Sequence, residues 1–157
     1  MTSVLDAKGR VLDEVHTRFG VREIRFDAER GCFLNGRPIK LKGACLHQDH
    51  AGIGIAVDRA VWRYRLERLQ AMGCNAVRIH HYPPPCVVEL ADEMGMLIYA
   101  ENRVLSSAPQ YRHDLSVLVR TLRNHPSVFL WCVGNEENRP FGTDLFPRRI
   151  LRELMFE

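Results

Sequence analysis

An amide and two carboxylates follow directly after a long apolar run near the end of the chain. In the stretch VFLWCVGNEEN they are Asn135, Glu136 and Glu137. Burial disfavours the charged form of a carboxyl group at the mouth of an apolar strand, and this raises its pKa. A carboxyl group of this kind can stay protonated near neutral pH and donate a proton to a leaving group. The stretch is therefore a candidate acid/base site, with an ordinary exposed loop as the alternative for Glu136.

Three further apolar runs also end in polar or titratable groups. Their ends read HQDH at 47–50, RIHHYP at 78–83 and AEN at 100–102. In parallel α/β folds, functional side chains collect at the carboxyl ends of the strands. Four polar strand ends out of four favour one shared pocket over four unrelated loops.

The pair His80 and His81 cannot both face that pocket if it lies within a regular strand. Adjacent strand residues point to opposite faces, so at most one of them enters. Arg78 and His80 share one parity, and the sequence therefore favours His81 as the pocket residue, unless the chain bends before Pro83. Arg78 has a structural alternative, which is to pair with a buried carboxylate such as Glu101.

Predicted strands and helices, which would position these polar strand ends, alternate along the chain. The apolar runs at 39–47, 75–81, 96–102 and 128–136 are typical of strands buried on both faces. Between them, apolar residues recur at helical spacing, with Asp58 as an N-cap, Gly73 and Gly95 as stops, and a fourth helix capped by Thr143. The predicted buried helix faces are Trp62, Leu66, Leu69 and Met72; Val87, Leu90, Ala91 and Met94; and Leu115, Leu118, Val119 and Leu122.

This alternation predicts an α/β fold with parallel strands. A doubly wound sheet and part of a (β/α)8 barrel both fit, although the first strand is not followed by G-x-G-x-x-G. A full barrel needs about 250 residues. The 157 residues therefore suffice for about four βα units, the first half of such a barrel.

The first part of the chain has a different pattern. Residues 1–32 alternate in polarity, as in REIRF, and Asn35-Gly36 is the signature of a type I′ hairpin turn. We interpret 1–32 as the last strand or two of a preceding β-domain with its linker, and 33–157 as the α/β domain.

Composition excludes several classes of function. The net charge of +3 is spread along the chain, which argues against nucleic acid as a partner. No apolar run approaches the ~20 residues of a membrane span, and the first residues show no secretory signal. Five cysteines without a C-x-x-C pair are typical of buried, reduced thiols. Together these features predict a cytoplasmic protein.

Four linked motifs carry a family resemblance. FLNGRPIKLKGACLHQDH, MGCNAVRIHHYPPP, DEMGMLIYAEN and RNHPSVFLWCVGNEE resemble, in this order, glycoside hydrolase family 2, and most nearly its β-galactosidase branch. The resemblance covers roughly residues 18 to 140. It implies the first half of a TIM (β/α)8 barrel, preceded by the end of an immunoglobulin-like β-sandwich.

The resemblance also implies a function and roles for single residues. The expected activity is retaining hydrolysis of a β-galactoside or a related β-glycoside, without a cofactor. Ala100 departs from the family's usual Asp, and the segment at 102–107 lacks the Glu and His that bind magnesium in some β-galactosidases, so we expect no such metal site. By resemblance, Glu136 is the general acid/base, Asn135 contacts the sugar's 2-hydroxyl, and His47, Arg78, His81 and Glu101 belong to the substrate site.

The family's nucleophilic Glu follows the seventh strand, which four βα units do not reach. We therefore expect the isolated chain to be inactive, and to self-associate through the open edge of its half-barrel. Two other functions remain open. One is a metal-dependent (β/α)8 hydrolase with His47, His50, His81 and Glu101 as ligands, and the other is a non-catalytic carbohydrate-binding remnant.

Overall fold

The computed structural model of the chain describes residues 1–135 and Arg152. Its N-terminal part forms two small antiparallel sheets within these residues. Strands β1 (Thr2–Leu5) and β2 (Val11–Val15) form a hairpin, and β3 (Ile24–Asp27), β4 (Gly31–Leu34) and β5 (Arg37–Pro38) form the second sheet. Asn35 and Gly36 have φ values of 51° and 74°, as the predicted type I′ turn between β4 and β5 requires.

A parallel sheet forms the rest of the described chain. Its strands are β6 (Gly43–His47), β7 (Ala76–His80), β8 (Leu97–Glu101) and β9 (Val128–Cys132), and they are neighbours in that order. The helices α1 (Arg59–Ala71), α2 (Pro85–Met94) and α3 (Pro109–Leu122) connect them. The predicted alternation of strand and helix is confirmed this far, while the helix predicted from Thr143 lies outside the described residues.

Local signals explain where the helices begin and end. Asp58 accepts a hydrogen bond of 2.9 Å from the backbone N–H of Val61, which confirms it as the N-cap of α1. Gly95 ends α2 in the left-handed conformation, with φ 69°. Met72 was predicted to be buried but is 77% exposed, because it is the C-cap of α1.

The hydrophobic core lies between the helices and one face of the parallel sheet. Along β7, Val77 and Ile79 are buried in this core, whereas Arg78 and His80 lie on the opposite, partly open face. Along β7 the predicted burial on both faces was therefore wrong, whereas β8 is buried on both faces as predicted, with Tyr99 half-buried. The helices contribute Trp62, Leu66, Leu69, Val87, Val88, Leu90, Ala91, Leu115, Leu118 and Leu122 to the core.

The first parallel strand is shorter than predicted. It begins at Gly43 and not at residue 39. The side chain of Asn75 accepts a hydrogen bond from the N–H of Lys42 and donates one to the carbonyl of Lys40. The Asn75 side chain therefore occupies backbone groups of Lys40 and Lys42 that a longer strand would use for pairing.

The N-terminal segment packs against the start of β9. The rings of Phe26 and Phe129 meet edge to face at 5.9 Å, and Arg22 donates a hydrogen bond to the carbonyl of Val128. Gly20 lies so close to Pro126 that an added Cβ would come within 2.4 Å of the proline ring. The boundary at residues 32 and 33 stays a prediction, although the second small sheet has strands on both sides of it.

Two expectations from composition can be compared with the fold. The five cysteines are free thiols, but four are half-buried and Cys45 is exposed, so the expectation of buried thiols was wrong. Within the described residues, no helix has the length and apolar character that crossing a membrane demands.

Candidate functional site

The carboxyl ends of the parallel strands bring the predicted site residues to one edge of the sheet. In the strand register, Cys45 is opposite Arg78, and His47 is opposite His80. Arg78 is in turn opposite Tyr99, two residues before Glu101. Because these residues share the open face of the sheet, their side chains form two adjacent rows across the strands. One row contains Cys45, Arg78 and Tyr99, and the other contains His47 and His80.

Glu101 is the centre of the site. Its side chain is completely buried, and Arg78 binds its Oε2 atom through a hydrogen bond and an ion pair. The other oxygen, Oε1, lies 3.1 Å from Nδ1 of His80 and 2.7 Å from Nδ1 of His81. One buried carboxylate therefore collects an arginine and two histidines.

Arg78 links Glu101 to the end of β9. Its Nη2 atom donates a hydrogen bond to Oδ1 of Asn135, and Nη1 lies 3.7 Å from the thiol of Cys45. Burial lowers the pKa of Arg78, but the hydrogen bond and charge of Glu101 outweigh burial, and the net effect raises the pKa. Arg78 is therefore held as a cation between a carboxylate and an amide, which confirms its predicted alternative of pairing with Glu101.

Three histidine rings are stacked beside Glu101. The ring centroids of His47 and His80 are 4.4 Å apart, and those of His80 and His81 are 3.5 Å apart. Burial, followed by the nearby charge of His81, lowers the pKa of His80, while Glu101 acts in the opposite direction. These neighbours favour the neutral imidazole at His80.

The prediction that only one of His80 and His81 enters the site was wrong. Both rings face Oε1 of Glu101. Strand β7 ends at His80, so His81 lies beyond the regular strand, and Tyr82 has a φ of 34°. Strict alternation of faces therefore does not extend to His81.

Two residues that the sequence did not single out hold the backbone of the site. Gln48 donates hydrogen bonds to the carbonyls of His81 and of Tyr82, the latter at 2.8 Å. Arg65 of α1 donates to the carbonyl of His47 at 3.1 Å. Gln48 follows a predicted site residue, which is a signal that could have identified it, whereas Arg65 resembles any arginine on a helix surface.

The structure thus brings together His47, Arg78, His81, Glu101 and Asn135, and adds His80. Their individual roles stay predictions. His50 makes no described side-chain contact with this group, and its backbone pairs with Gly54. Glu136, the predicted general acid/base, lies outside the described residues. His80, His81 and Glu101 are also close enough together to hold a metal ion.

Fold and site together define the class of this protein. Parallel strands in sequential order, connected by helices that pack on the same side, form part of a (β/α)8 barrel. The polar cluster at the carboxyl end of the strands is where barrel enzymes bind their substrates. The parallel sheet and its helices are therefore part of a TIM-barrel domain.

Comparison with known proteins identifies the family. Residues 28–114, more than half of the chain, match the model of the glycosyl hydrolases family 2 TIM barrel domain. The chain belongs to this family. The match confirms the partial barrel and the family resemblance stated above.

Named relatives lie within the same family. The chain is 35% identical to a putative β-glucuronidase of Formosa agariphila, over 95% of this chain and 16% of the relative. It is 37% identical to the β-galactosidase BoGH2A of Bacteroides ovatus, over 80% of this chain and 16% of the relative. The crystal structure of a family 2 member from Bacteroides cellulosilyticus superimposes with a TM-score of 0.80 at 35% identity, covering 95% of this chain and 21% of that one.

These relatives are named as glycosidases, and this chain spans only a small part of each. It corresponds to 16% of the length of both curated relatives. The family is therefore shown, while the activity of the whole protein belongs to the proposal that follows.

Proposed function

We propose that the chain supplies the proton-donating half of a retaining β-glycosidase site. Glu136 is the general acid/base, and Asn135 orients the sugar beside it. His47, Arg78 and His81 form the remainder of the sugar site around the buried carboxylate of Glu101.

The hydrogen bond between Arg78 and Asn135 is the observation that supports this proposal best. It ties the residue before Glu136 to the polar cluster at the ends of β7 and β8. Since Arg78 is itself bound by Glu101, the amide of Asn135 is oriented by a buried ion pair. Glu136 follows this amide directly in the sequence, which supports its assignment as the acid next to the glycosidic bond.

The chemistry then follows from the requirements of glycoside hydrolysis. Glu136 protonates the leaving oxygen while a second carboxylate attacks the anomeric carbon and forms a glycosyl-enzyme intermediate. Glu136 next acts as a base and removes a proton from the water that releases the sugar. The two carboxyl groups of a retaining enzyme lie about 5–5.5 Å apart. We propose that the second one comes from the other half of the barrel, so the chain alone has negligible turnover.

A β-galactoside is the proposed substrate, with a β-glucuronide as the alternative. The relatives include proteins named for each of these sugars. A glucuronide carries a carboxylate that requires a cationic or strongly hydrogen-bonding partner. Arg78, the cation of the described cluster, is already bound by Glu101 and Asn135, and this supports a neutral sugar.

Sugar binding to the 157-residue chain tests the proposed site. We expect methyl β-galactoside to give saturation-transfer NMR signals stronger than those of methyl β-glucuronide. Asn135→Ala should weaken this binding about tenfold, since a lost hydrogen bond to a sugar hydroxyl costs about 1.4 kcal/mol. His50→Ala, which changes an exposed histidine, should leave binding unchanged.

An activity assay tests the proposed division of the site between two halves of the barrel. The chain alone should give no measurable hydrolysis of an aryl β-galactoside. Robust turnover that Glu136→Gln abolishes would contradict the division, because the chain would then contain both carboxylates. Sugar binding without turnover agrees with the proposal, and absence of binding to either sugar contradicts the assigned sugar site.

A further inference from the structure

The side of Glu101 that faces the two histidines carries unsatisfied polar atoms. Glu101 is fully buried, and in the described part of the chain its Oε1 and the Nδ1 of His81 have no hydrogen-bond partner. These two atoms lie 2.7 Å apart, but the contact does not meet hydrogen-bond geometry. Buried polar atoms without partners are costly, so a group that binds both of them is favoured.

A third donor atom lies at the same place. Nδ1 of His80 is 3.1 Å from Oε1 of Glu101, and one donor atom from each of His80, His81 and Glu101 lies within 4.8 Å of the others. Two imidazole nitrogens and one carboxylate oxygen suit Zn²⁺ and similar transition metals, whereas Mg²⁺ prefers oxygen ligands. Zinc–ligand distances of about 2.0–2.2 Å place tetrahedral donors about 3.3 Å apart, so Oε1 of Glu101 has to move about 0.2 Å further from Nδ1 of His80 and about 0.6 Å further from Nδ1 of His81.

Neighbouring groups orient this donor set. Arg78 binds Oε2 of Glu101 and leaves Oε1 to the histidines, which is how partners of a metal ligand commonly fix its orientation. Its Nη2 atom also lies 3.4 Å from Nδ1 of His80, a contact that metal binding has to replace. Gln48 holds the backbone of His81 and Tyr82. The charge of Arg78 opposes a second cation, so binding is expected to be weaker than at a structural zinc site.

The two histidines border the open face of the sheet, where the side chains of His80 and His81 are 16% and 21% exposed. Because Oε1 of Glu101 and Nδ1 of His81 are themselves buried, the histidine rings have to shift to admit a cation. The remaining coordination positions on this side are open to water or to another ligand.

We propose that His80, His81 and Glu101 form a three-ligand site for a transition-metal cation of the zinc class, with water completing its coordination. The site differs from the magnesium site considered at residues 102–107. Because His81 and Glu101 are also predicted sugar contacts, bound metal excludes the sugar. This last consequence rests on the proposed function, whereas metal binding does not.

Cobalt is the probe that tests the site in the 157-residue chain. We expect Co²⁺ to give the intense visible absorption of four-coordinate cobalt, without thiolate charge-transfer bands in the near ultraviolet. Zn²⁺ should displace it. His80→Asn should weaken binding at least about tenfold, because loss of a direct ligand costs no less than loss of a partner that orients one. His113→Asn, which removes an exposed histidine of α3, is the matched control.

Circular dichroism establishes that each variant is folded. If Glu101→Gln does not fold, Glu101→Asp keeps the charge and withdraws the oxygen, and it should also weaken cobalt binding. Absence of the absorption band in the wild-type chain, or equal binding by the wild type and His80→Asn, would overturn the proposal and leave a shared proton as the partner of the two atoms.

Competition between sugar and cobalt distinguishes the proposed metal site from the proposed sugar site. Methyl β-galactoside should displace cobalt if both are correct. Cobalt bound equally well at saturating sugar supports the metal site and contradicts the sugar role of His81 and Glu101.

Discussion

Glu101 contacts three basic side chains from a position that solvent does not reach. Arg78 binds one of its oxygens, and His80 and His81 face the other. A buried carboxylate is tolerated only where such partners compensate for the lost hydration. The site therefore depends on this residue for its arrangement, whether or not Glu101 touches the sugar.

Removing the charge of Glu101 should be costly to stability. We expect Glu101→Gln to lower the free energy of unfolding by about 3 kcal/mol, since the change leaves Arg78 without its anion in a partly buried position. Urea denaturation followed by circular dichroism measures the loss. Glu89→Gln is the control, because Glu89 pairs with Arg59 at the surface, where ion pairs contribute about 0–1 kcal/mol. Similar losses of unfolding free energy in both variants would show that Glu101 contributes no more to stability than a surface ion pair.

His80 should make stability depend on pH. Burial lowers the pKa of His80 in the folded chain, so at mildly acidic pH the unfolded chain binds more protons at this residue than the folded chain does. Stability contributed by neutral His80 is therefore present above the ordinary histidine pKa and is lost as the pH falls below it. Melting temperatures between about pH 5 and pH 7.5 should decline less steeply on acidification for His80→Asn than for the wild type. His113→Asn should keep the wild-type slope, and identical slopes for all three chains would contradict the assignment.

The sequence identified most of the site residues but not their contacts. Polar strand ends predicted one shared pocket, because parallel strands place their carboxyl ends together, and the family resemblance selected His47, Arg78, Glu101 and Asn135 within it. Both histidines enter the site because His81 lies beyond the end of the regular strand, where strand alternation no longer applies. The bond between Arg78 and Asn135 joins residues that are far apart in the sequence, and no local pattern specifies it.

At the scale of elements, the caps are the most local signals and were predicted well. Asp58 begins α1 as its N-cap and Gly95 ends α2, as their residue types predict. The start of β6 was predicted poorly, because the side chain of Asn75 competes for the backbone of the preceding residues. Element boundaries that depend on distant side chains are not encoded in local spacing.

Helix caps offer a paired prediction. We expect Asp58→Ala to destabilise the chain by about 1 kcal/mol, because the N–H of Val61 loses its acceptor. Ala108, the N-cap of α3, makes no side-chain capping bond, so Ala108→Ser should stabilise the chain by about 0.5–1 kcal/mol. Thermal melts of both variants measure these opposite shifts. Shifts of the same sign would contradict capping as their cause.

At the scale of the whole molecule, the described parallel sheet has two outer strands. Strands β6 and β9 each have one neighbour within the described residues, and β6 is largely exposed. The hairpin of β1 and β2 also exposes apolar side chains, including Leu12, which is 66% exposed. Alternation of strands and helices predicted the parallel α/β fold correctly, because the pattern repeats locally, and the family resemblance selected the half-barrel. Neither the pattern nor the resemblance shows which strands pair with the edges of the sheet.

Unpaired edge strands are sites of association, so the chain should self-associate through β6. We expect its 18.1 kDa monomer to give way to larger species as concentration rises in sedimentation velocity experiments. Ala44→Lys places a charge on this exposed edge strand and should shift the equilibrium towards monomer, since charged edges resist strand pairing. Leu12→Lys places the same charge on the N-terminal hairpin and should have little effect. If Leu12→Lys alone restores the monomer, association runs through the hairpin, and a monomeric wild-type chain at all concentrations would contradict edge pairing altogether.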